Sequence, residues 1–443
     1  MKNSPTVHYL EPQSIASDAD FTPPAYEVLA ARFRPIFARI AAGAVHREDA
    51  RELPFTEVGW LRDAGFGAVR IPQKYGGLGA TLPQFFNLLT ELAEADSNVS
   101  HLLRGHFAFL EGRLNHEDES VREFWFPKVV DGALIGYAMA ELTETTGTSA
   151  TIAREGEHWL LNGKKYYSTG TIYADWIVAT VVDGKERVSV ALPATAEGVT
   201  RVDDWDGFGQ RMTGSGTTLF DNVKIDPAHI IRRFSAVDRY ANPYQKAFLQ
   251  LVLLASITGV GRAVLRDAIE FAQRKTRAFG VAGQSSPRED PLVQRVVGRI
   301  ASLSFAADSM VEAVAHAIED VHRQVHAGTA DEAVHVKAEI KAFQAQQMVI
   351  DLILQASTLL FEVGGASATS EKRRLDRHWR NARTAASHNP AIFRERAIGD
   401  YYLNGAIPDA AWWAAAEKER IEAEAANETE TAAGPDENKQ GLR

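Results

Sequence analysis

The 443-residue chain has no cysteine, which excludes disulfides, thiolate catalysis and cysteine-ligated metal or iron–sulfur sites together. It has no excess of positive charge either. With 48 Lys and Arg against 58 Asp and Glu, the net charge is −10, and nothing offsets repulsion by nucleic-acid phosphates. Its longest apolar stretch, Phe248 to Val260, is broken by Gln250, Ser256, Thr258 and Gly259, so no run approaches membrane-spanning length. The first ten residues, M-K-N-S-P-T-V-H-Y-L, lack the apolar region of a signal peptide. These absences predict a soluble, cytoplasmic protein. No G-x-G-x-x-G follows a strand, and the Gly-rich turn Tyr75–Gly79 lacks the Lys-Ser/Thr of a phosphate-binding loop. Neither a bound nicotinamide nor a nucleoside triphosphate is expected.

What is present is ordinary globular apolar content, in a chain long enough for two or three domains. The order of patterns is α, then β, then α. Residues 1–22 have no periodicity and read as a mobile arm. Helical spacing dominates 23–130: Tyr26–Ile40 (with a possible kink at Pro35), Phe55–Ala64, Leu82–Ala95, Val99–Leu114 and Val121–Val130. Over 131–235 the pattern turns to strands, with a hairpin turn expected at Asn162-Gly163. Residues 236–413 return to long helices, Tyr244–Phe279, Leu292–Ala327, Glu332–Val363 and Ser370–Ser387, whose lengths suit a four-helix bundle. Residues 414–443 carry Ala and Glu with almost no large apolar side chains and read as a disordered tail.

One stretch stands out, L-D-R-H-W-R-N-A-R-T-A-A-S-H-N-P, Leu375 to Pro390. At helical spacing Leu375, Trp379, Ala382 and Ala386 share one face, and Arg377, Asn381, Thr384 and His388 the other. Pro390 ends the pattern. Donors of fixed shape on the polar face suit a planar polar ligand better than water. Two Ser/Thr-rich strand ends supply matching chemistry: Gly136–Ser149, with Thr143 in its loop, and Leu161–Gly170, with Ser168 and Thr169. Hydroxyls and free backbone N–H groups there suit the polar edge or phosphate of a cofactor.

The α–β–α order and these motifs resemble the acyl-CoA dehydrogenase fold, an α+β architecture of N-terminal helical domain, central β-barrel domain and C-terminal four-helix bundle. That resemblance implies a flavin between the β domain and the bundle, and a homotetramer built as a dimer of dimers. The Thr143-Glu144 step looks like the Thr-Glu following the family's flavin-contacting strand. Tyr-Ser-Thr-Gly, Tyr167–Gly170, looks like the segment lying against the flavin ring, whose hydroxyl can bond the ring's N5. Neighbours on a strand point to opposite faces, so Ser168 and Thr169 compete for that role, and Thr169 is favoured. Arg277 matches the arginine that reaches flavin phosphate. Trp205, in D-D-W-D-G-F-G-Q-R-M-T-G-S-G, matches a wall of the flavin or substrate pocket.

Within that fold the details resemble its flavin-dependent monooxygenases, such as dibenzothiophene monooxygenase and related sulfur-acquisition oxygenases. An acyl-CoA dehydrogenase needs a carboxylate base. The family's two positions for it are empty here, since there is no Glu from Lys372 through Phe393 or between Gly198 and Ile269, and Asp238 is the only acid between Ala228 and Arg266. The resemblance instead implies His388 as the residue contacting flavin or peroxide. It implies His101 (a better match than His106) in the segment lining the active site. Arg377, Asn381 and Arg383 follow as cofactor-side supports. Ala140 stands where some of these enzymes have a pocket Asn, and Ala385 where a His is found, departures that leave room for a substrate other than dibenzothiophene. The reading is a two-component monooxygenase. It takes FMNH2, with FADH2 possible, from a separate flavin reductase and uses O2 through a C4a-hydroperoxyflavin. Its expected substrate is small, apolar and organosulfur. The alternative is an FAD-dependent acyl-CoA dehydrogenase with an atypical base.

Overall fold

The computed structural model describes residues 23–141, 150–184, 186–234, 243–275 and 286–408. The N-terminal helices are α1 (Tyr26–Ala50), α2 (Phe55–Asp63), α3 (Leu82–Ala95), α4 (Ser97–Leu102), α5 (Arg104–Leu114) and α6 (Glu119–Val130). Helix α1 runs straight through Pro35 and ten residues past the expected end at Ile40. The sequence pattern stops early because the later buried residues include charges: Arg47 and Glu48 are inside, and Arg47 pairs with Asp96 at 2.9 Å and Glu57 at 2.7 Å. The helix expected over Val99–Leu114 is two helices broken at Leu103. Asp96 caps the first by accepting the Asn98 amide at 3.0 Å. The break places His101 near the end of α4 and Arg104 at the start of α5.

The strands are β1 (Ile135–Ala138), β2 (Thr151–Glu155), β3 (His158–Lys165), β4 (Trp176–Asp183), β5 (Glu186–Pro193), β6 (Val199–Arg201), β7 (Thr218–Ile225) and β8 (Ile230–Phe234). They pair in the order β6-β7-β3-β2-β4-β5-β8, with β1 parallel to β4. Strands β2 and β4 share only the Thr151–Val182 register position, so two half-sheets meet through a narrow seam. Their inner faces close on Ile152, Leu161, Ile177, Val181, Val188, Val190, Leu192, Phe220 and Val223. Asn162-Gly163 is not the hairpin turn. The β2–β3 turn lies at Gly156-Glu157, between the paired Glu155 and His158. Asn162 sits inside β3 at a bulge opposite β7, where its Oδ1 accepts from the Asn222 backbone amide at 2.8 Å and its Nδ2 donates to Asn222 Oδ1 at 3.2 Å. Those bonds absorb the extra residue, so the chain does not reverse there.

The C-terminal helices are α7 (Pro243–Arg274), α8 (Pro291–His326), α9 (Glu332–Gly364) and α10 (Asp376–Ala386). Helices α7 and α9 meet the length and composition of a membrane span, contrary to the reading of the broken apolar run. The apolar window of α7 is 83% buried within the protein, however, as befits the centre of a bundle. Helix α3 packs along α7 and α8, with Phe85 stacked on Phe248 at 6.0 Å. Each such buried ring stabilises the junction by about 1.5–3 kcal/mol. The expected start of the last helix at Ser370 is replaced by 3-10 turns over Gly365–Thr369 and Glu371–Arg373. Helix α11 (Ala391–Asn404) opens a second compact unit, Ile392–Arg443, described to residue 408.

Candidate active site

Helix α10 has no single solvent-facing polar side. Arg377, His378, Asn381, Ala382, Ala385 and Ala386 are all buried, while Trp379, expected on the apolar face, is 39% exposed and stacks on Phe208 at 6.2 Å. The polar side chains fix the helix in place. Asp267 of α7 accepts from Arg377 at 2.9 Å and His378 at 2.7 Å and pairs with Arg266 at 3.3 Å. Burial alone would raise the Asp267 carboxyl, but the His378 bond and the two guanidinium groups hold it well below the carboxylate range. The Arg377 guanidinium also donates to the carbonyls of Arg373 and Arg374. Arg383 folds back on Ser387 at 3.2 Å.

The second clamp on α10 comes from the β domain. The Gln210 amide N–H donates to Asn381 Oδ1 at 2.7 Å, and its side-chain nitrogen donates to the Asn381 carbonyl at 3.3 Å. Gln210 adopts φ of 51° and follows Gly209, where a Cβ would stand 2.1 Å from the Arg380 carbonyl oxygen and 2.6 Å from Thr384 Oγ1. Only glycine lets this loop reach the helix. The loop is also tied to the N-terminal domain. Arg51 grips Asp203 through two bonds of 2.7 Å, and the Met212 amide donates to Asn98 at 3.2 Å.

At the bend after α10, Arg104 Nη1 lies 3.3 Å from His388 Nε2, and His388 Nδ1 lies 3.3 Å from Asn389 Oδ1. Asn389 in turn donates to Gln250 at 2.8 Å and accepts from Gln346 at 2.9 Å. A guanidinium can only donate. His388 Nε2 is therefore the acceptor and Nδ1 carries the proton, a neutral tautomer fixed from both sides. The ring keeps solvent access, yet protein surrounds it on most sides, as it does a side chain in a cleft wall. That crowding, then Arg104 and His101, push its pKa well below the ordinary imidazole value.

The His101 ring lies 6.1 Å from His388, and neither of its nitrogens has a hydrogen-bond partner in the protein. Burial, then Arg104, lower its pKa to about 4. His106 is equally buried, but both its nitrogens are used, at 2.9 Å from the Gly67 carbonyl and as acceptor of the Ile135 amide at 3.2 Å. His106 thus anchors the start of β1.

Facing the histidines is the segment after β3. Gly170 has φ of 79°, and a Cβ there would lie 2.4 Å from the Leu102 carbonyl, so this segment abuts the end of α4. The Tyr137 amide donates to the Thr169 carbonyl at 3.4 Å. Tyr137 also lies close to Arg104 and Arg113, which favour its ionisation, but burial dominates and pushes its phenol up to about 12. Thr169 is half-buried and its hydroxyl meets Ser215 at 2.8 Å, continuing to Thr213 at 2.8 Å and the Gln210 carbonyl at 2.9 Å. Ser168 is fully buried with an unpartnered hydroxyl. The Trp205 ring lies 6.4 Å from Tyr166 and 6.1 Å from Tyr167, and its indole N–H donates to the Gln210 carbonyl at 3.0 Å. Exposed Ala140 bridges to Tyr166 beside this aromatic wall. Thr143 and Arg277 lie outside the described residues.

The fold thus brings together His101, His388 and Thr169, with Ala140 and Trp205 at the wall. Arg377 and Arg383 point at protein groups of their own, and Asn381 serves the Gln210 loop. Sequence reading passed over Arg104, Tyr137, Gln210 and Gln250. Two had signals: Arg104 lies three residues after His101, and Gln250 is a polar residue inside an apolar run.

The buried polar atoms of His101, Ser168, Gln210 and Thr384 that lack a protein partner fit a planar ligand with several polar edge atoms. Comparison with known proteins agrees with the architecture. The acyl-CoA dehydrogenase N-terminal, middle and C-terminal domain families match residues 25–133, 137–223 and 251–391. A probable FMNH2-dependent monooxygenase of Pseudomonas putida, SfnC, is 27% identical over 85% of this chain and 94% of its own. Dibenzothiophene monooxygenase of Rhodococcus qingshengii is 27% identical over 83% of this chain and 91% of its own. Among solved structures, methanesulfinate monooxygenase MsuC of Pseudomonas fluorescens superposes with a TM-score of 0.78 at 25% identity, over 87% of this chain and 98% of that one. Two of these relatives are named as monooxygenases of organosulfur compounds and the third as FMNH2-dependent, and the chain belongs to the acyl-CoA dehydrogenase family.

Proposed function

We propose that the protein is the oxygenase of a two-component flavin monooxygenase, cytoplasmic and tetrameric, that receives FMNH2 from a separate reductase. It inserts one atom of O2 into a small organosulfur substrate. The observation that carries this reading is the pair of neutral histidines, His101 and His388, with ring centroids 6.1 Å apart. Helix α10 has one carboxylate, Asp376, which is taken up by Arg380 at 2.8 Å, and there is no Glu from Lys372 through Phe393. Removing a proton from a thioester needs a base of that kind. Holding an oxygen-derived group needs neutral donors and acceptors in a site kept dry.

In this reading Thr169 presents its hydroxyl to the edge of the flavin ring. Ser168 stands behind it, and Thr143 and Arg277 are the further contacts that the family resemblance assigns. When bound and reduced, FMN supplies the electrons that activate O2. His388 can turn its Nδ1–H from the 3.3 Å contact with Asn389 Oδ1 to a bound oxygen group, with Arg104 beside it as a fixed positive charge that favours any developing anion. His101 offers one donor and one acceptor. Trp205, Tyr166 and Tyr167 exclude water and stack a planar apolar substrate, and Ala140 leaves room beside them. Asn381 and Arg377 hold the loop and helix that bear these groups, and Arg383 stiffens the helix end.

The test supplies the protein with FMNH2 from an added reductase, oxygen-18 O2, and dibenzothiophene or methanesulfinate. One labelled oxygen atom in the product is expected. Acyl-CoA-dependent bleaching of oxidised flavin without O2, and no labelled product from any organosulfur compound, would overturn the reading in favour of a dehydrogenase.

A further inference from the structure

Two buried acceptor and donor sets face each other without meeting. Gln210 is 1% exposed, and its side-chain nitrogen is fixed by Ser97 Oγ at 3.2 Å and the Asn381 carbonyl at 3.3 Å. The Asn381 carbonyl can only accept, so the amide cannot be flipped, and Oε1 points the other way with no partner. Ser97 and His101 lie four residues apart on α4, one above the other on the same face. An amide held by Ser97 therefore lies on the face of α4 that bears His101, whose nitrogens are also without partners. The Gln210 side chain favours the protonated ring, although no ring nitrogen of His101 has a partner within hydrogen-bond geometry. Two orphaned buried groups on neighbouring side chains are satisfied together by a small side-chain rotation, which removes the desolvation cost of leaving each unpaired.

We infer that Gln210 is a positioning residue that holds one N–H of His101, fixes its neutral tautomer, and leaves the other ring nitrogen as a lone-pair acceptor. Resting on the reading above, that acceptor faces the cleft. The arrangement complements His388, whose Nε2 is taken by Arg104 and whose Nδ1–H lies 3.3 Å from Asn389 Oδ1. One histidine then accepts while the other donates. A proton entering with oxygen or substrate has one defined place to go. The strained φ of 51° at Gln210 and the close approach at Gly209 give this amide a rigid base that a flexible loop would lack. The glutamine also links the tautomer to domain docking, because the same amide bridges α4 and α10.

The experiment is nitrogen-15 NMR of histidine-labelled, flavin-free protein from acid to alkaline pH. His101 is identified by His101→Ala. The expected spectrum has one pyrrole-type and one pyridine-type nitrogen at their limiting shifts through neutral pH. Gln210→Leu is expected to bring the two shifts toward their mean. Gln210→Glu, with a carboxylate at the same place, is expected to raise the His101 midpoint by at least about one pH unit. Averaged His101 shifts in the unaltered protein, or unchanged shifts in Gln210→Leu, would overturn the inference. If both variants unfold by circular dichroism, the unaltered spectrum decides alone. Because no flavin or turnover is involved, the outcome is separate from the oxygenase reading, which His101→Ala tests by product yield.

Discussion

Arg104 and His388 are joined Nη1 to Nε2 at 3.3 Å, and only the guanidinium can donate. The cation therefore sets both the tautomer of the imidazole and the difficulty of charging it. Burial comes first among the causes that lower the His388 pKa, and Arg104 is next.

Arg104→Met removes a positive charge beside a group whose charged form is also positive. The His388 pKa then rises toward the ordinary value. Coupled turnover, measured as product formed per O2 consumed, should lose its acid limb at a pH about one unit higher than in the unaltered protein. His388→Ala should leave the melting temperature within a few degrees and lower the same ratio at least about tenfold. An unchanged ratio would remove His388 from the chemistry.

Gly209 and Gly170 are two places where the β domain comes against helical backbone. A Cβ at Gly209 meets the Arg380 carbonyl at 2.1 Å, and one at Gly170 meets the Leu102 carbonyl at 2.4 Å with φ of 79°. Either Gly→Ala change should cost about 1–3 kcal/mol of stability and weaken FMN binding. Gly112→Ala, with nothing within 4 Å inside α5, is the control and should be neutral or stabilising by up to about 1 kcal/mol. Chemical unfolding and flavin titration read both effects.

Three buried histidines, His101, His106 and His378, have pKa values lowered to about 4, in each case first by burial. The unfolded chain binds protons at about pH 6.5, well above those values. Stability is then full above about pH 6.5 and is lost as the pH falls toward 4. At pH 5 these three should take up about three protons on unfolding, a contribution of about 4 kcal/mol per pH unit, to which His322 and His388, lowered likewise, add. Calorimetry in buffers of different ionisation enthalpy counts them. Proton uptake near zero would contradict the neutral state of this set.

Trp205 lines the candidate pocket with its ring and holds the Gln210 carbonyl with its N–H. Trp205→Phe keeps a ring and loses the bond, whereas Trp205→Leu loses both. For a planar substrate the loss of the ring should raise KM about 2- to 10-fold, from about 0.5–1.5 kcal/mol of aromatic contact. Steady-state kinetics on the two variants separate the wall from the loop support.

The α–β–α order, the long helices and the importance of residues 375–390 are legible because apolar spacing reports which faces are buried. Glu48, Arg47 and Arg377 break that code, since a buried charge looks like a surface one until its partner is known. Arg377 and His378 have theirs in Asp267, more than a hundred residues away. The failure at Asn162-Gly163 is of the same kind, because Asn222 on another strand converts a turn signal into a bulge. His101 and His388 could be named from sequence. That the first has two open nitrogens and the second none depends on Arg104, Asn389 and Gln210, which no local pattern connects.

The glycine approaches at 170 and 209 tie the proposed flavin site to the docking of separate parts of the chain. Its walls come from residues near 102, 137, 169, 210 and 388, and none of these stretches completes a binding surface with its sequence neighbours alone. Flavin affinity is therefore a report on whole-chain docking. A substitution far from the cleft that loosens the Arg51–Asp203 or Asp267–His378 clamp will first show itself as weaker cofactor retention, before any loss of helix content.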